Sequence, residues 1–357
     1  MNTYGTKLKI SIFGQSHSDA IGVSIDGLPA GFSIDTNALA AFTARRAPGQ
    51  DKLSTTRKEA DIPEIISGIA DGKTCGAPLC AIIKNGDCRS RDYDKLKKVP
   101  RPGHADYAAY IKFGGCNDIR GGGQFSGRLT APLCIAGGIA LQILDSMGIK
   151  IAAHIYEIAG IKDTPFDPVN VCGNDFSRIG SFPVLNGDAG EKMAQAVLEA
   201  KKDGDSVGGI IECAVIGLEA GYGSPMFEGV ENVISQAVFA IPAVKGIEFG
   251  AGFEVARMRG SQNNDSFITD GVTVHTKTNN SGGILGGITT GMPIIFRAAF
   301  KPTPSIALQQ KSVNMEELNN CNLIVEGRHD PCVVPRAVVA VEAATAVAVL
   351  DMILQGK

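Results

Sequence analysis

Three of the five histidines in this 357-residue chain sit in Gly- or Pro-rich turns. His17 lies between Ser16 and Ser18, directly after the strand-like run KLKISIFG. His104 closes Arg101-Pro102-Gly103-His104, and His329 lies in Arg328-His329-Asp330-Pro331. Histidine titrates at about 6.5 when unperturbed, so it is the ready acid or base near neutral pH. A single histidine is most often a hydrogen-bonded structural residue, and His154 and His275, in strand-like contexts, read that way. Three in turns beside Ser, Arg or Asp point to catalysis, because loops on a rigid scaffold carry most catalytic groups.

Arginines crowd the same turns: Arg45, Arg46, Arg57, Arg101, Arg120, Arg128, Arg328 and Arg336. Arginine grips carboxylate and phosphate in bidentate fashion, so the implied substrate carries several negative charges. The densest stretch, RPGHADYAAYIKFGGCNDIRGGGQFSGR, runs into the apolar segment LTAPLCIAGGIALQILDSM. A cationic, glycine-rich turn at a buried helix start is a natural anion site, since helix N-termini offer free N–H groups and partial positive charge. Ser126 and Thr130 are the candidate caps, and Pro132 suits the first turn. The plain alternative is a Gly-rich turn before a core helix, and spacing alone does not separate the two. Lys95, Lys97 and Lys98 read as solvated charges.

Common motifs are missing. RGGGQFSGR follows no apolar strand and lacks the G-x-G-x-x-G spacing of dinucleotide folds. No Walker A lysine, G-x-S-x-G elbow or H-E-x-x-H occurs. The net charge of −3 excludes a polyanion binder acting through its overall field. Trp is absent, which argues against stacking platforms for nucleic acid. Nine cysteines form no C-x-x-C pair, so no metal site is expected and most read as small buried hydrophobes. No apolar run reads as a signal peptide, and Glu342 and Asp351 break the longest one, so a cytoplasmic protein without a membrane span is the expectation.

These residues need a scaffold. Strands are expected at 7–13, 22–28, 63–69, 78–84 and 208–218. Helices are expected at about 35–46, 191–202, 230–240 and, apolar on nearly every side, 129–147 and 336–354. A short helix should begin near His104. Buried helices beside alternating strands suggest helices between sheets. One such helix in each half hints at an internal duplication, and no linker marks a domain boundary.

Taken in order, three stretches resemble the chorismate synthase family: GQSHSDAIGVSIDGLPAG, then RPGHADY with RGGGQFSGRLTAP, then GRHDPCVVPRA. The intervening RRAPGQ, GDSVGG, IPAVKGIEFG, RGSQNND, NNSGGILGGITTG and KPTPSI fit as well. The resemblance covers essentially the whole chain. It implies one domain, 1–357, of α+β class, with helices sandwiched between two antiparallel β-sheets and internal pseudo-two-fold symmetry. It also implies a homotetrameric lyase of the shikimate pathway to aromatic amino acids. The reaction would be a 1,4-anti elimination of phosphate from 5-enolpyruvylshikimate 3-phosphate, giving chorismate. Reduced FMN is required without net redox change; NADPH or an external flavin reductase would keep it reduced.

Carried over by motif, the catalytic residues are His17 on the phosphate side, His104 on the flavin side and Asp330 in the base relay. FMN would meet Gln124, Phe125, Ser126, Ala243, Gly286, Lys301, Pro302, Thr303, Pro304, Ser305 and Arg328. Substrate would meet Ser16, Arg45, Ser126 and Arg128, while Arg46 and Lys52 match positions assigned to a reduced nicotinamide nucleotide. The chain departs from the family pattern in places. Gln15 stands where an acid is common and Ser18 where Gly is common. Ala47 replaces the third arginine of a run, Lys52 another arginine, and Pro304 a serine. Gln124-Phe125-Ser126 is less polar than in many relatives. The alternatives are an FMN-dependent oxidoreductase, which would consume NADPH steadily, and a polyanion binder, which would bind nucleic acid in a salt-sensitive way.

Overall fold

The computed structural model describes residues 2–49, 53, 59, 61–86, 95–177, 179–325, 327 and 329–357. Two five-stranded antiparallel sheets enclose a helical layer. The first sheet holds β1 (Thr3–Tyr4), β2 (Lys9–Gly14), β3 (Ala20–Asp26), β4 (Glu64–Ser67) and β5 (Leu79–Lys84), in the order β1-β2-β3-β5-β4. The second holds β6 (Lys150–Ile158), β7 (Ile161–Lys162), β8 (Gly209–Ile216), β9 (Val244–Phe249) and β10 (Ile294–Phe300), in the order β9-β10-β8-β6-β7. The fold is α+β, as expected.

Alternation explains the first sheet. Ile21, Val23 and Ile25 of β3 point inward at a period of two and are fully buried. In β8 the whole run Ile211–Val215 is buried, because Phe166, Val171, Phe176, Ile179 and Leu185 cover the outer face. There Phe166 and Val171 pack on Ala214 and Ile295.

The longer helices are α1 (Thr36–Ala44), α2 (Asp106–Phe113), α3 (Thr130–Ser146), α4 (Gly187–Lys202), α5 (Val230–Phe239) and α6 (Val334–Gln355). Asp35 caps α1, its Oδ1 accepting from the N–H groups of Asn37 and Ala38 at 2.9 and 3.0 Å. Pro335 occupies the first turn of α6, where its missing N–H costs nothing. α3 packs on β2, β3 and β5, α6 on β6 and β8, and the two helices pack on each other. They cross at Gly137, where a Cβ would lie 2.3 Å from the Ala343 Cα. Both are long and apolar enough to cross a membrane, but they are the core of the sandwich and mostly buried.

The two halves share one topology from the central strand onward; at the other edge they differ, β1 preceding β2 but β7 following β6. In each sheet the strand latest in sequence inserts beside the centre and pushes its predecessor to the edge: β5 inside β4, β10 inside β9. A helix precedes that edge strand in both cases, α1 before β4 and α5 before β9, and each packs on its half's long helix. The long helix then closes each half. Consequently the described residues of 95–129 and 301–333 hold equivalent places, between the last strand and the buried helix of each half. Sequence alone hinted at this duplication only through the two apolar helices.

Candidate active site

Those two connections meet over the N-terminal ends of α3 and α6 and line a cavity of about 560 Å³. The end of α1, the turn after α5 and the first turns of α6 complete the wall.

The floor is cationic. Arg46 follows α1 and is 2% exposed. Its Nε donates to Asp61 Oδ2 at 2.9 Å, and its Nη1 reaches the Gly127 carbonyl at 3.3 Å. Arg128 lies in the short turn Gly127–Leu129 that leads into α3. It donates to Asp61 Oδ1 through Nη1, pairs with Glu59 through Nη2, and its Nε donates to Asn85 Oδ1 at 3.0 Å. Burial lowers the Arg128 pKa and Arg46 adds to that; Asp61 and Glu59 oppose it. Arg336, in the first turn of α6, donates to Asp330 at 2.5 Å and through Nε to the Arg46 carbonyl at 3.0 Å. Burial lowers its pKa as well. Lys245 and Lys301 add charge at the wall, and Lys301 donates to the Gly103 carbonyl.

The glycine turn sets the histidines. Gly121, Gly122 and Gly123 all have positive φ (62, 84 and 57°), a region side chains rarely adopt. His17 and His104 flank this turn. A Cβ on Gly121 would lie 2.4 Å from Ser16 Oγ and 2.8 Å from His17 Nε2; one on Gly122 would lie 3.3 Å from His104 Nε2. Only glycine lets both rings approach. The Ser16 N–H donates to the Gly123 carbonyl at 3.1 Å, which pins the His17 turn to it. Ser126 caps the short turn Gly127–Leu129 by accepting from the Arg128 N–H at 3.3 Å.

On the opposite wall, Arg101 and His104 share Asp106. Arg101 donates to Asp106 through Nε at 2.7 Å and Nη2 at 2.8 Å, and to Ser305 Oγ at 3.1 Å. Burial alone would raise the Asp106 carboxyl, but hydrogen bonds from Arg101 and His104 outweigh it and hold it well below the usual carboxylate range. The chemistry available is therefore to bind a polyanion, deliver protons from imidazoles and accept one at Asp330.

The family profile of chorismate synthase matches residues 8–354. The chain belongs to the chorismate synthase family. It is 50% identical to the chorismate synthase of Lancefieldella parvula, over 98% of this chain and 95% of that protein. It is 44% identical to the chorismate synthase of Korarchaeum cryptofilum, over 99% and 97%. A crystal structure titled chorismate synthase superposes with a TM-score of 0.78 at 27% identity, over 99% of this chain and 93% of that one. Members of the chorismate synthase family are carbon–oxygen lyases of the shikimate pathway, and this chain is one.

Most of the family positions converge. Arg46, His104, Gln124, Phe125, Ser126, Arg128, Ala243, Lys301, Thr303, Pro304, Ser305 and Asp330 all line the cavity. Ser16 and His17 stand behind Gly121 and do not line it themselves. Pro302 and Gly286 are not in the wall; Gly286 turns the hairpin of Ile284–Leu285 and Ile288–Thr289. Arg45 turns away: its guanidinium is bidentate to Glu342 at 2.6 and 3.0 Å, beside a second cavity. The pull of that buried carboxylate outweighs burial and raises the Arg45 pKa. Lys52 and Arg328 lie outside the described residues. Sequence reading passed over Asp61, Asp106 and Lys245. Asp106 had a signal, an acid two residues after His104; Asp61 had none.

Proposed function

We propose that the chain performs the 1,4-anti elimination of phosphate from 5-enolpyruvylshikimate 3-phosphate, giving chorismate. The observation that carries this reading is the cluster of buried Arg46 and Arg128 with half-buried Arg336 at two converging helix N-termini, with His17 and His104 flanking one glycine turn beside it. The substrate has two carboxylates and a phosphate. Preorganised guanidiniums hold it and stabilise charge as phosphate departs. The allylic C–O bond to phosphate breaks, a ring proton leaves, and a second ring double bond forms, with no net redox change.

The cavity fits reduced FMN beside substrate. Its volume lies within the usual range of ligand pockets. Phe125, Phe239, Ile241 and Ala340 give it an apolar wall. Thr303 Oγ1 is buried in that wall and, among the described residues, has no hydrogen-bond partner. Gln124, Phe125, Ser126, Ala243, Lys301, Thr303, Pro304 and Ser305 would hold the flavin. When bound, reduced FMN supplies electron density to the breaking C–O bond.

By family position His17 serves the departing phosphate from behind Gly121, His104 turns Nε2 toward the flavin to take up and pass on a proton, and Asp330, braced by Arg336, takes part in moving the ring proton. Arg46, Arg128 and Ser126 take the anionic groups of substrate, with Ser16 fixing the glycine turn from behind. NADPH or an external flavin reductase keeps the flavin reduced, and the enzyme works as a cytoplasmic homotetramer. Exposed apolar side chains such as Phe227, Phe253 and Val272 support assembly.

The test is phosphate release from 5-enolpyruvylshikimate 3-phosphate under strict anaerobiosis, with and without chemically reduced FMN. Chorismate and phosphate forming only with reduced FMN is the expected result. Steady NADPH consumption without phosphate release would replace this reading with an FMN oxidoreductase.

A further inference from the structure

We infer that Asp106 is a positioning residue for His104: it fixes the proton on Nδ1, so that Nε2 is the atom presented to the cavity. The inference rests on the acid role of His104 proposed above, but its first readout does not. His104 Nδ1 lies 2.5 Å from Asp106 Oδ1. An ionised carboxylate only accepts, so the nitrogen facing it must carry the hydrogen. Nε2 is then the nitrogen left beside Gly122, where the missing Cβ keeps the approach open.

Asp106 is built to stay ionised. Its side chain is 2% exposed. Oδ2 accepts from Arg101 Nε at 2.7 Å and from the Arg101 backbone N–H at 3.1 Å, while Oδ1 also accepts from Arg101 Nη2 at 2.8 Å. It opens α2, where the helix end favours negative charge. Arg101 does a second job. Its Nη2 rests 3.1 Å from Nδ1 and 3.4 Å from Nε2, so the guanidinium packs against the imidazole and opposes its rotation. Through Ser305 the unit is tied to the loop that carries Lys301 and Thr303. The competing account is that Asp106 is merely a first-turn acid that stabilises α2.

The two accounts separate by spectroscopy and by a mutant cycle. In the full-length ligand-free protein with ¹⁵N-labelled histidine, followed to a pH where the ring is neutral, His104 should show a protonated Nδ1 and an unprotonated Nε2. Asp106→Asn should shift the ring toward the Nε2–H tautomer. A wild-type His104 protonated at Nε2 alone overturns the inference without any variant. In turnover, Asp106→Asn should lower kcat by roughly 10²–10⁴, the scale of losing an acid–base group or its tautomer, with KM little changed. His104→Ala combined with Asp106→Asn should be no slower than His104→Ala alone, because both remove one function. Additive losses would make Asp106 structural and sink the proposal. If His104→Ala keeps wild-type turnover, the acid role falls, while the tautomer measurement still decides what Asp106 does to the ring.

Discussion

Asp61 is the residue on which the anion floor depends, and Asp61→Asn isolates its charge. The side chain is 1% exposed and faces two guanidiniums, Arg46 at 2.9 Å and Arg128. Its backbone has φ of 50°, a left-handed conformation that asparagine also accepts readily, so the substitution adds little backbone strain. What is lost is the charge. One amide oxygen can still accept from one arginine, but the amide N–H₂ then meets the other donor to donor. Breaking a buried ion pair from one side costs about 3–5 kcal/mol, and the retained acceptor puts the expectation near the low end, about 3 kcal/mol. Unfolding entropy of about 2.1 cal/mol/K per residue gives about 0.75 kcal/mol/K for this chain, so the melting temperature should fall by about 4 °C. Inorganic phosphate should then act as a substitute anion. At a hundredfold excess over its Kd it contributes about 2.7 kcal/mol, enough to return most of the loss. Differential scanning fluorimetry of both proteins across a phosphate titration measures this. A variant melting within about 1 °C of wild type, with the same phosphate response, would refute the claim that Asp61 neutralises a buried cationic pair.

Other consequences follow from the same geometry. Gly121→Ala places a Cβ against Ser16 Oγ and the His17 ring at φ of 62°, so turnover should fall about 10²-fold or more, matching His17→Ala. Stopped assays showing wild-type turnover for Gly121→Ala would remove His17 from the reaction. His154 on β6 is buried between Asp163 and Glu212, each at 3.0 Å. Burial pushes its pKa down, but the hydrogen bonds to the two carboxylates win and raise it. Its stabilisation is therefore full below the unfolded value of about 6.5 and is lost as pH rises through the higher folded value. The melting difference between wild type and His154→Gln should shrink on going from about pH 6 to about pH 9; a constant difference would mean that the ring is neutral throughout. Glu342→Gln leaves Arg45 half-paired and should destabilise by about 1.5–3 kcal/mol, the scale of a hydrogen bond to a charged group, while KM stays near wild type. A KM rise of about tenfold, worth 1.4 kcal/mol, would return Arg45 to the substrate site.

Much of the scaffold could be read from local pattern. Asp35 before an apolar repeat marks the start of α1, and two helices apolar all round announce a buried layer. Glu342 and Asp351 could not be read this way. In sequence they only interrupt an apolar run. In the fold Glu342 holds Arg45 and the Ala153 N–H, and Asp351 collects the N–H groups of Thr6, Lys7 and Leu8 at 2.7–2.9 Å. Both bonds cross more than half the chain, so no local signal encodes them. Arg45 and Arg46 are adjacent, yet the helix end sends one to Glu342 and the other to Asp61. Sequence identifies the pair as an anion candidate; only packing decides which one faces the cavity.

The duplication explains why the site lies where it does. Each half ends its sheet, makes one excursion and returns as a buried helix, and the two excursions meet at the same end of the sandwich. Two helix N-termini therefore face one cavity, and their partial positive charges add to those of Arg46, Arg128 and Arg336. A symmetric scaffold supplies the shared need, which is to hold a polyanion. The two excursions differ in what they bring. The first brings His104, its Asp106 support and the glycine turn; the second brings Lys301, Thr303 and Asp330. Arg101 to Ser305 at 3.1 Å and Lys301 to the Gly103 carbonyl are among the direct bonds between them. In the function proposed above, proton delivery and flavin contact would then fall to separate segments while the arginine floor stays fixed by the core.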